Sequence, residues 1–332
     1  MAKIEKMDVG GGSELASRRL SGQRLAQIPE VAALVVVLLA LATFFTIRSE
    51  FFLTTNNLVN VATNVAVLGI IAAPATMLLI AGQFDLSVGS AAVFVGMVMA
   101  KAAPEIGVEV AALLALAAGL AVGAINAVGV VMFRVNAIIT TLATLAAFRG
   151  AAKLVSNGQT LILPGFGTLG TQRIFSVPLP AYIFALVAII YFVVLKYTVF
   201  GKHVYAMGGG PRAARLAGIP VNRYVVIGFL LSALSTVLAG LIIVSQLGAS
   251  SPIAAQGLEL QVVTAVILGG ASLSGGRGSI LGTMVAVFII GVLNNGLNLL
   301  SVPSFWQEII LGALLLSAVA FDQLRIRVSE SS

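Results

Sequence analysis

The sequence predicts an all-α fold: a polytopic transmembrane helical bundle of about ten spans, with eight or nine also compatible, containing interrupted helices and a weak internal repeat. Three observations predict it. The 332 residues are 59% hydrophobic and only 9% charged, with a mean hydropathy of +1.08, where soluble domains carry about a quarter charged residues. Apolar runs of about 20 residues recur along the chain, each able to cross a hydrocarbon core of roughly 30 Å. The alternating pattern of barrel strands is absent, and open sheet edges cannot satisfy their amides in lipid, so the spans are helices.

Taken in order, residues 1–30 are polar and glycine-rich, end in a basic patch with Arg18, Arg19 and Arg24, and read as a disordered cytoplasmic tail. The membrane body covers 31–324, and 325–332 reads as a short cytoplasmic tail. Spans are expected at about 31–47, 58–80, 86–100, 110–133, 135–154, 181–199, 225–247, 259–272, 279–299 and 305–323. Ala40-Leu41-Ala42 lies inside the first run rather than after it, so that run reads as a span, not a cleavable leader. The third, fifth and eighth spans are short or glycine-flanked, which marks them as candidates for half-helices.

Charge sets the orientation. With the N-terminus in the cytoplasm, 14 of the 19 basic residues fall inside, and Arg48, Lys101, Arg149, Lys153 and Arg173 fall outside. An even number of crossings keeps Arg325 and Arg327 on the inner face. The net charge of +7 is explained by this loop bias, and no nucleic-acid partner is expected. There is no cysteine and one histidine, His203, so no metal-ligand cluster is expected.

Two glycine-rich breaks echo each other. Gly82-Gln83-Phe84-Asp85-Leu86-Ser87-Val88-Gly89 aligns with Gly269-Gly270-Ala271-Ser272-Leu273-Ser274-Gly275-Gly276, each following one apolar run and opening another. Interrupted helices at matching places in two halves mark a substrate path. Asp85 reads as an N-cap accepting the first free amides of the next span. An acid at membrane depth is costly unless paired or hydrated, so a role facing a watery passage is the functional alternative.

The loop 201–223, GKHVYAMGGGPRAARLAGIPVNR, reads as a short cytoplasmic helix: Pro211 in the first turn, Arg212 to Leu216 propagating it, Gly218 stopping it, Pro220 barring continuation. A surface helix this short is marginal alone and calls for a docking partner. Gly165-Phe166-Gly167-Thr168-Leu169-Gly170 fits G-x-G-x-x-G, but follows no expected strand and opens no convincing helix, so it is set aside as a dinucleotide site. No Walker A sequence occurs. Amides within spans, among them Asn60, Asn64, Asn126, Asn136, Gln261, Asn294, Asn295 and Asn298, either line a path for a hydroxylated solute or bond between helices.

AGQFDLSVGS, FRGAAKLVSNGQT, YAMGGGPRAARLAGIPVNRY and VILGGASLSGGRGSILGTMVAVFIIGVLNNGLNLL resemble the ribose-type ABC sugar permeases, over nearly everything after residue 50. The resemblance implies a multi-pass subunit of the bacterial inner membrane, no enzyme itself, that imports a monosaccharide or related polyol. Its implied partners are a second permease (homodimer or heterodimer), a cytoplasmic ABC ATPase and a periplasmic solute-binding protein. No cofactor is implied in this chain, ATP and Mg belonging to the ATPase. It further implies an ATPase-coupling role for Gly208, Gly209, Pro211, Arg212, Ala213, Ala214, Arg215 and Gly218, although Arg212 stands where the wider superfamily often has an acid before Ala-Ala. Phe84, Asp85, Leu86, Ser87, Leu273 and Ser274 are implied near the translocation path, to which Asn60, Asn64, Asn294 and Asn295 are added as amides. Related cargoes (a furanone-type signal, a nucleoside, a branched-chain amino acid) keep the same mechanism. An ion-coupled carrier using Asp85 is disfavoured because no second intramembrane acid is expected.

Overall fold

A computed structural model describes residues 30–330; the expected N-terminal tail with its basic residues lies outside that range. The helices are α1 (Glu30–Arg48), α2 (Thr55–Ile80), α3 (Val88–Ile106), α4 (Val108–Val131), α5 (Ala137–Ser156), the single turn α6 (Thr168–Thr171), α7 (Leu179–Tyr197), α8 (Val199–Gly209), α9 (Pro211–Leu216), α10 (Val221–Leu247), α11 (Leu258–Leu268), α12 (Ile280–Leu299) and α13 (Ser304–Glu330). Four two-residue strands, β1 (Leu161–Ile162), β2 (Arg173–Ile174), β3 (Val177–Pro178) and β4 (Ala249–Ser250), form two antiparallel pairs, β1 with β4 and β2 with β3.

Local chemistry sets the ends. Thr54, Asn136, Thr198 and Ser279 each accept a first-turn amide through the side chain, starting α2, α5, α8 and α12, which satisfies one of the orphan donors there. Three helices stop the same way, on a glycine in the left-handed region: Gly82, Gly218 and Gly270. In each, that glycine's N–H bonds back to Leu79, Arg215 or Ile267, and the following N–H bonds to Leu78, Ala214 or Val266, the paired bonds of a Schellman motif.

Helix α2 is the central post. Its apolar window is 83% buried, against 6% for α1 and 11% for α13, so α2 reads hydrophobic all round because neighbours surround it. It packs on α7, α10, α11 and α12, while α10 also packs on α3 and α4. The apolar faces of α1 and α13 are left for lipid.

Among the described residues, nine helices are long and apolar enough to cross a membrane. The eighth expected span is the exception, because α11 has only 11 residues, about 16 Å of rise against a core of roughly 30 Å. The irregular segments 251–257 and 269–279 complete that crossing. Such backbone is tolerated at membrane depth only where protein or a wet cavity covers it. The third and fifth spans are full helices of 19 and 20 residues. Two boundaries need correction: 201–209 is part of α8 rather than loop, and α13 continues to Glu330 through most of the expected C-terminal tail.

Candidate functional site

Positive-inside logic makes one end of the bundle cytoplasmic, the end that carries Arg134, Lys196, Lys202, Arg212, Arg215, Arg223 and Arg277. There α9 projects outward. Ala214 is its one buried residue, while Pro211, Arg212, Ala213, Arg215 and Gly218 are exposed and Leu216 is 91% exposed. Gly218 has φ +83 and open space around it, so it is needed for its backbone conformation and not for room.

Directly behind α9, three backbone segments meet. Gly276 N–H donates to the Ile80 carbonyl at 2.8 Å. A Cβ on Gly208 would overlap both the Ile80 oxygen and the Gly276 nitrogen. A Cβ on Gly275 would stand 3.0 Å from the Gly82 Cα and 3.1 Å from the Gly208 oxygen. Tyr205, one turn earlier on α8, donates to the Gly278 carbonyl at 2.9 Å, and burial pushes its phenol pKa up, which keeps it a donor. A Cβ on Gly209, by contrast, would meet nothing within 4 Å. The two echoing breaks therefore touch each other, with the C-terminus of α8 wedged between them. Their helix stops match Gly82 with Gly270, one residue out of step with the sequence alignment, because the αL glycine and not the first glycine fixes the cap.

A cavity of about 710 Å³ opens beside this joint, lined by Gln83, Arg134, Gly208, Pro211, Arg215 and Ser274 among others. Ser274 thus faces the coupling end. Leu273 and Ser272 are held from α13, whose Asp322 accepts from Leu273 N–H at 3.3 Å and from the Ser272 hydroxyl at 3.2 Å.

Asp85 has a different place from the one expected. Ser87, not Asp85, is the N-cap of α3 and makes no side-chain cap bond. Asp85 Oδ1 accepts from the Ser87 amide at 3.0 Å and hydroxyl at 2.6 Å, and Oδ2 accepts from Ser232 of α10 at 2.7 Å. The chain of bonds continues through Asn126 Nδ2 to Ser87 Oγ, and from Thr144 Oγ1 to Asn126 Oδ1. Asp85, Ser87, Asn126, Ser232 and Thr144 are all buried. This network joins α3, α4, α5 and α10 at the break. Three donors satisfy the carboxylate, which is how an acid is tolerated at membrane depth. Phe84 packs against the main apolar core and Leu86 is half-buried beside it.

At the opposite, periplasmic end the amides gather. One cavity of about 550 Å³ is lined by Asn57, Asn60, Thr63 and Arg173. A second, of about 410 Å³, is lined by Gln256, Gln261, Asn294, Gln307 and Glu308. Both volumes fall in the roughly 300–1,000 Å³ range of small-molecule sites. Asn60, Asn64, Asn294 and Asn295, predicted from sequence, are brought together here. Asn57, Gln246, Gln256 and Gln307 were missed; their types gave a signal, but all four lie at helix ends or in the 251–257 segment, where amides look like ordinary loop residues.

Glu259 and Arg149 require a further correction. Arg149 lies within α5 rather than outside the membrane, and donates to Glu259 Oε1 of α11 at 3.0 Å. A second buried acid therefore exists within the bundle; its Oε1 is paired with Arg149, while its Oε2 is buried with no hydrogen-bond partner among the described residues. The Gly165 to Gly170 segment belongs to the periplasmic cover: a two-residue strand precedes it, a four-residue helix ends it, and Gly170 N–H donates to Ser245 at 2.8 Å.

Residues 57–319 match the family described as the branched-chain amino acid transport system / permease component. The chain is 38% identical to the ribose import permease protein of Escherichia coli strain K12, covering 93% of this chain and 99% of that protein. It is 37% identical to the Bacillus subtilis strain 168 ribose import permease protein, with 86% and 90% coverage. The L-arabinose ABC transporter permease protein of Azospirillum brasilense is 36% identical, with 90% and 89% coverage. No solved structure matches the chain.

Proposed function

Since the chain belongs to the branched-chain amino acid transport system / permease component family, we propose that it is the membrane subunit of an ABC importer for a monosaccharide. It is a multi-pass protein of the bacterial inner membrane. The cargo follows the relatives, which are ribose and arabinose permeases, and not the family's general title. The observation that carries the choice is the periplasmic cavity pair, whose polar lining is mainly neutral amides. An amide side chain both donates and accepts, as a sugar hydroxyl does.

In this reading a sugar-loaded binding protein docks on the periplasmic end and the solute enters the amide cavities. A cytoplasmic ATPase, which holds the ATP and Mg, grips α9. Leu216 supplies an exposed apolar contact there, flanked by Arg212 and Arg215, arginine being enriched at interface hot spots. Because α9 joins α8 through the single residue Gly210, displacement of α9 reaches Gly208. From Gly208 it passes to Ile80 and Gly276 by direct backbone contact. Both broken segments then shift together, which closes one end of the path as the other opens. A second permease copy or a close homologue completes the pair.

Reconstitution tests this. Liposomes containing the chain, its ATPase and its binding protein should take up ribose or arabinose only when ATP is present and both partners are added. Uptake by the chain alone, dissipated by an ionophore, would reject the reading.

A further inference from the structure

Two cavities at the periplasmic end share four lining side chains: Asn64, Gln246, Asn295 and Asn298. These four form the neck between an outer chamber, with Asn57, Asn60 and Arg173, and an inner chamber, with Gln256, Gln261 and Glu308. The neck carries no charge, although each chamber has one charged residue on its wall.

The four amides are not equivalent. Asn295 is locked in a reciprocal pair with Asn57, at 2.7 and 2.9 Å. Asn298 accepts from Gln307 Nε2 at 2.8 Å, and that same nitrogen also donates to the Val302 carbonyl. Gln246 is the opposite case: its Nε2 is buried and has no acceptor among the described residues. A buried unmet donor costs about 1–3 kcal/mol, a cost avoided when a partner arrives. The backbone around it is fixed, since Gly170 packs on the Gln246 amide nitrogen and bonds to Ser245 beside it. Gln246 is therefore held in place by its main chain, while its Nε2, shielded at rest, has no acceptor and must turn into the neck to reach a solute.

We propose that these four amides form a solute-reading collar, in which Gln246 donates through Nε2 to a hydroxyl oxygen of a neutral polyhydroxylated cargo as it passes from the outer to the inner chamber. Asn295 and Asn298, already tied back, set the width of the neck. The proposal rests on the permease reading and adds to it the position at which the solute is felt.

Gln246→Met tests it, because methionine keeps the length and removes the donor. In liposomes with both partners and saturating ribose-loaded binding protein, maximal uptake should fall roughly three- to tenfold, the loss of one hydrogen bond to cargo. Thermal unfolding in detergent should not fall and should rise by about 2 °C, since a buried unmet donor is gone. Gln246→Cys gives a second readout, as the chain has no other cysteine. A membrane-impermeant thiol reagent should label it from outside, and ribose-loaded binding protein should slow that labelling. Uptake at the wild-type rate in Gln246→Met, or lost uptake with a lowered unfolding temperature, overturns the collar and leaves the permease reading intact. Failure of the wild-type complex to take up any sugar is a failure of the permease reading instead.

Discussion

At the cytoplasmic end, Ile80, Gly208 and Gly276 meet backbone to backbone with no side chain between them, whereas at the periplasmic end amide side chains surround open space. The first arrangement has no compliance: a close-packed contact passes displacement on because it cannot absorb it. The second has room and hydrogen-bonding capacity in excess of what the protein itself uses. In the proposed function the first end transmits and the second receives. The paired acid at mid-bundle, Glu259 with Arg149, and the Asp85 network lie between them and hold the walls that must keep their shape.

The contrast can be broken at several points. The largest effect is expected from Arg149→Leu, which leaves Glu259 buried without its partner; unfolding in detergent should show a loss of about 3–5 kcal/mol. Adding Glu259→Leu to it should recover most of that, whereas no recovery would mean the pair is not what holds α11. Next comes Asp85→Leu, which strands the Ser87 and Ser232 donors and should cost about 2–3 kcal/mol. Asp85→Asn keeps an acceptor for Ser87 and should cost under about 1 kcal/mol, measured in the same way. Equal losses would show that the charge itself matters, and the receiving role would have to extend down to Asp85. Leu216→Ala should leave stability within about 0.5 kcal/mol, because the side chain is free in the permease alone. Copurification of the ATPase should nevertheless drop severalfold. Asn57→Ala should cost about 1 kcal/mol for the lost reciprocal amide pair, together with reduced sugar uptake.

Much of the fold was legible because lipid allows few solutions. Composition and run length gave the helices. Gly218 with Pro211 marked α9 correctly, since an αL stop and a first-turn proline are local signals. The eighth crossing was readable only as a weak span, because an 11-residue helix continued by irregular backbone has the same hydropathy as a short full span. The break at Asp85 was visible, yet its partners Ser232, Asn126 and Thr144 come from three other helices, and no local pattern announces such a meeting. The pairing of Arg149 with Glu259 was hidden for the same reason: each makes sense only beside the other, 110 residues apart. Asp322 likewise gave no sign that it braces the second break.

Neighbouring glycines give the most direct test of transmission. Gly208 has no room for a Cβ, and Gly209, the next residue on the same helix, has open space. In the reconstituted complex, the account predicts that Gly208→Ala hydrolyses ATP with uptake reduced at least about tenfold, a change of roughly 1.4 kcal/mol in coupling, while Gly209→Ala behaves as wild type. Equal uptake by the two variants would contradict it.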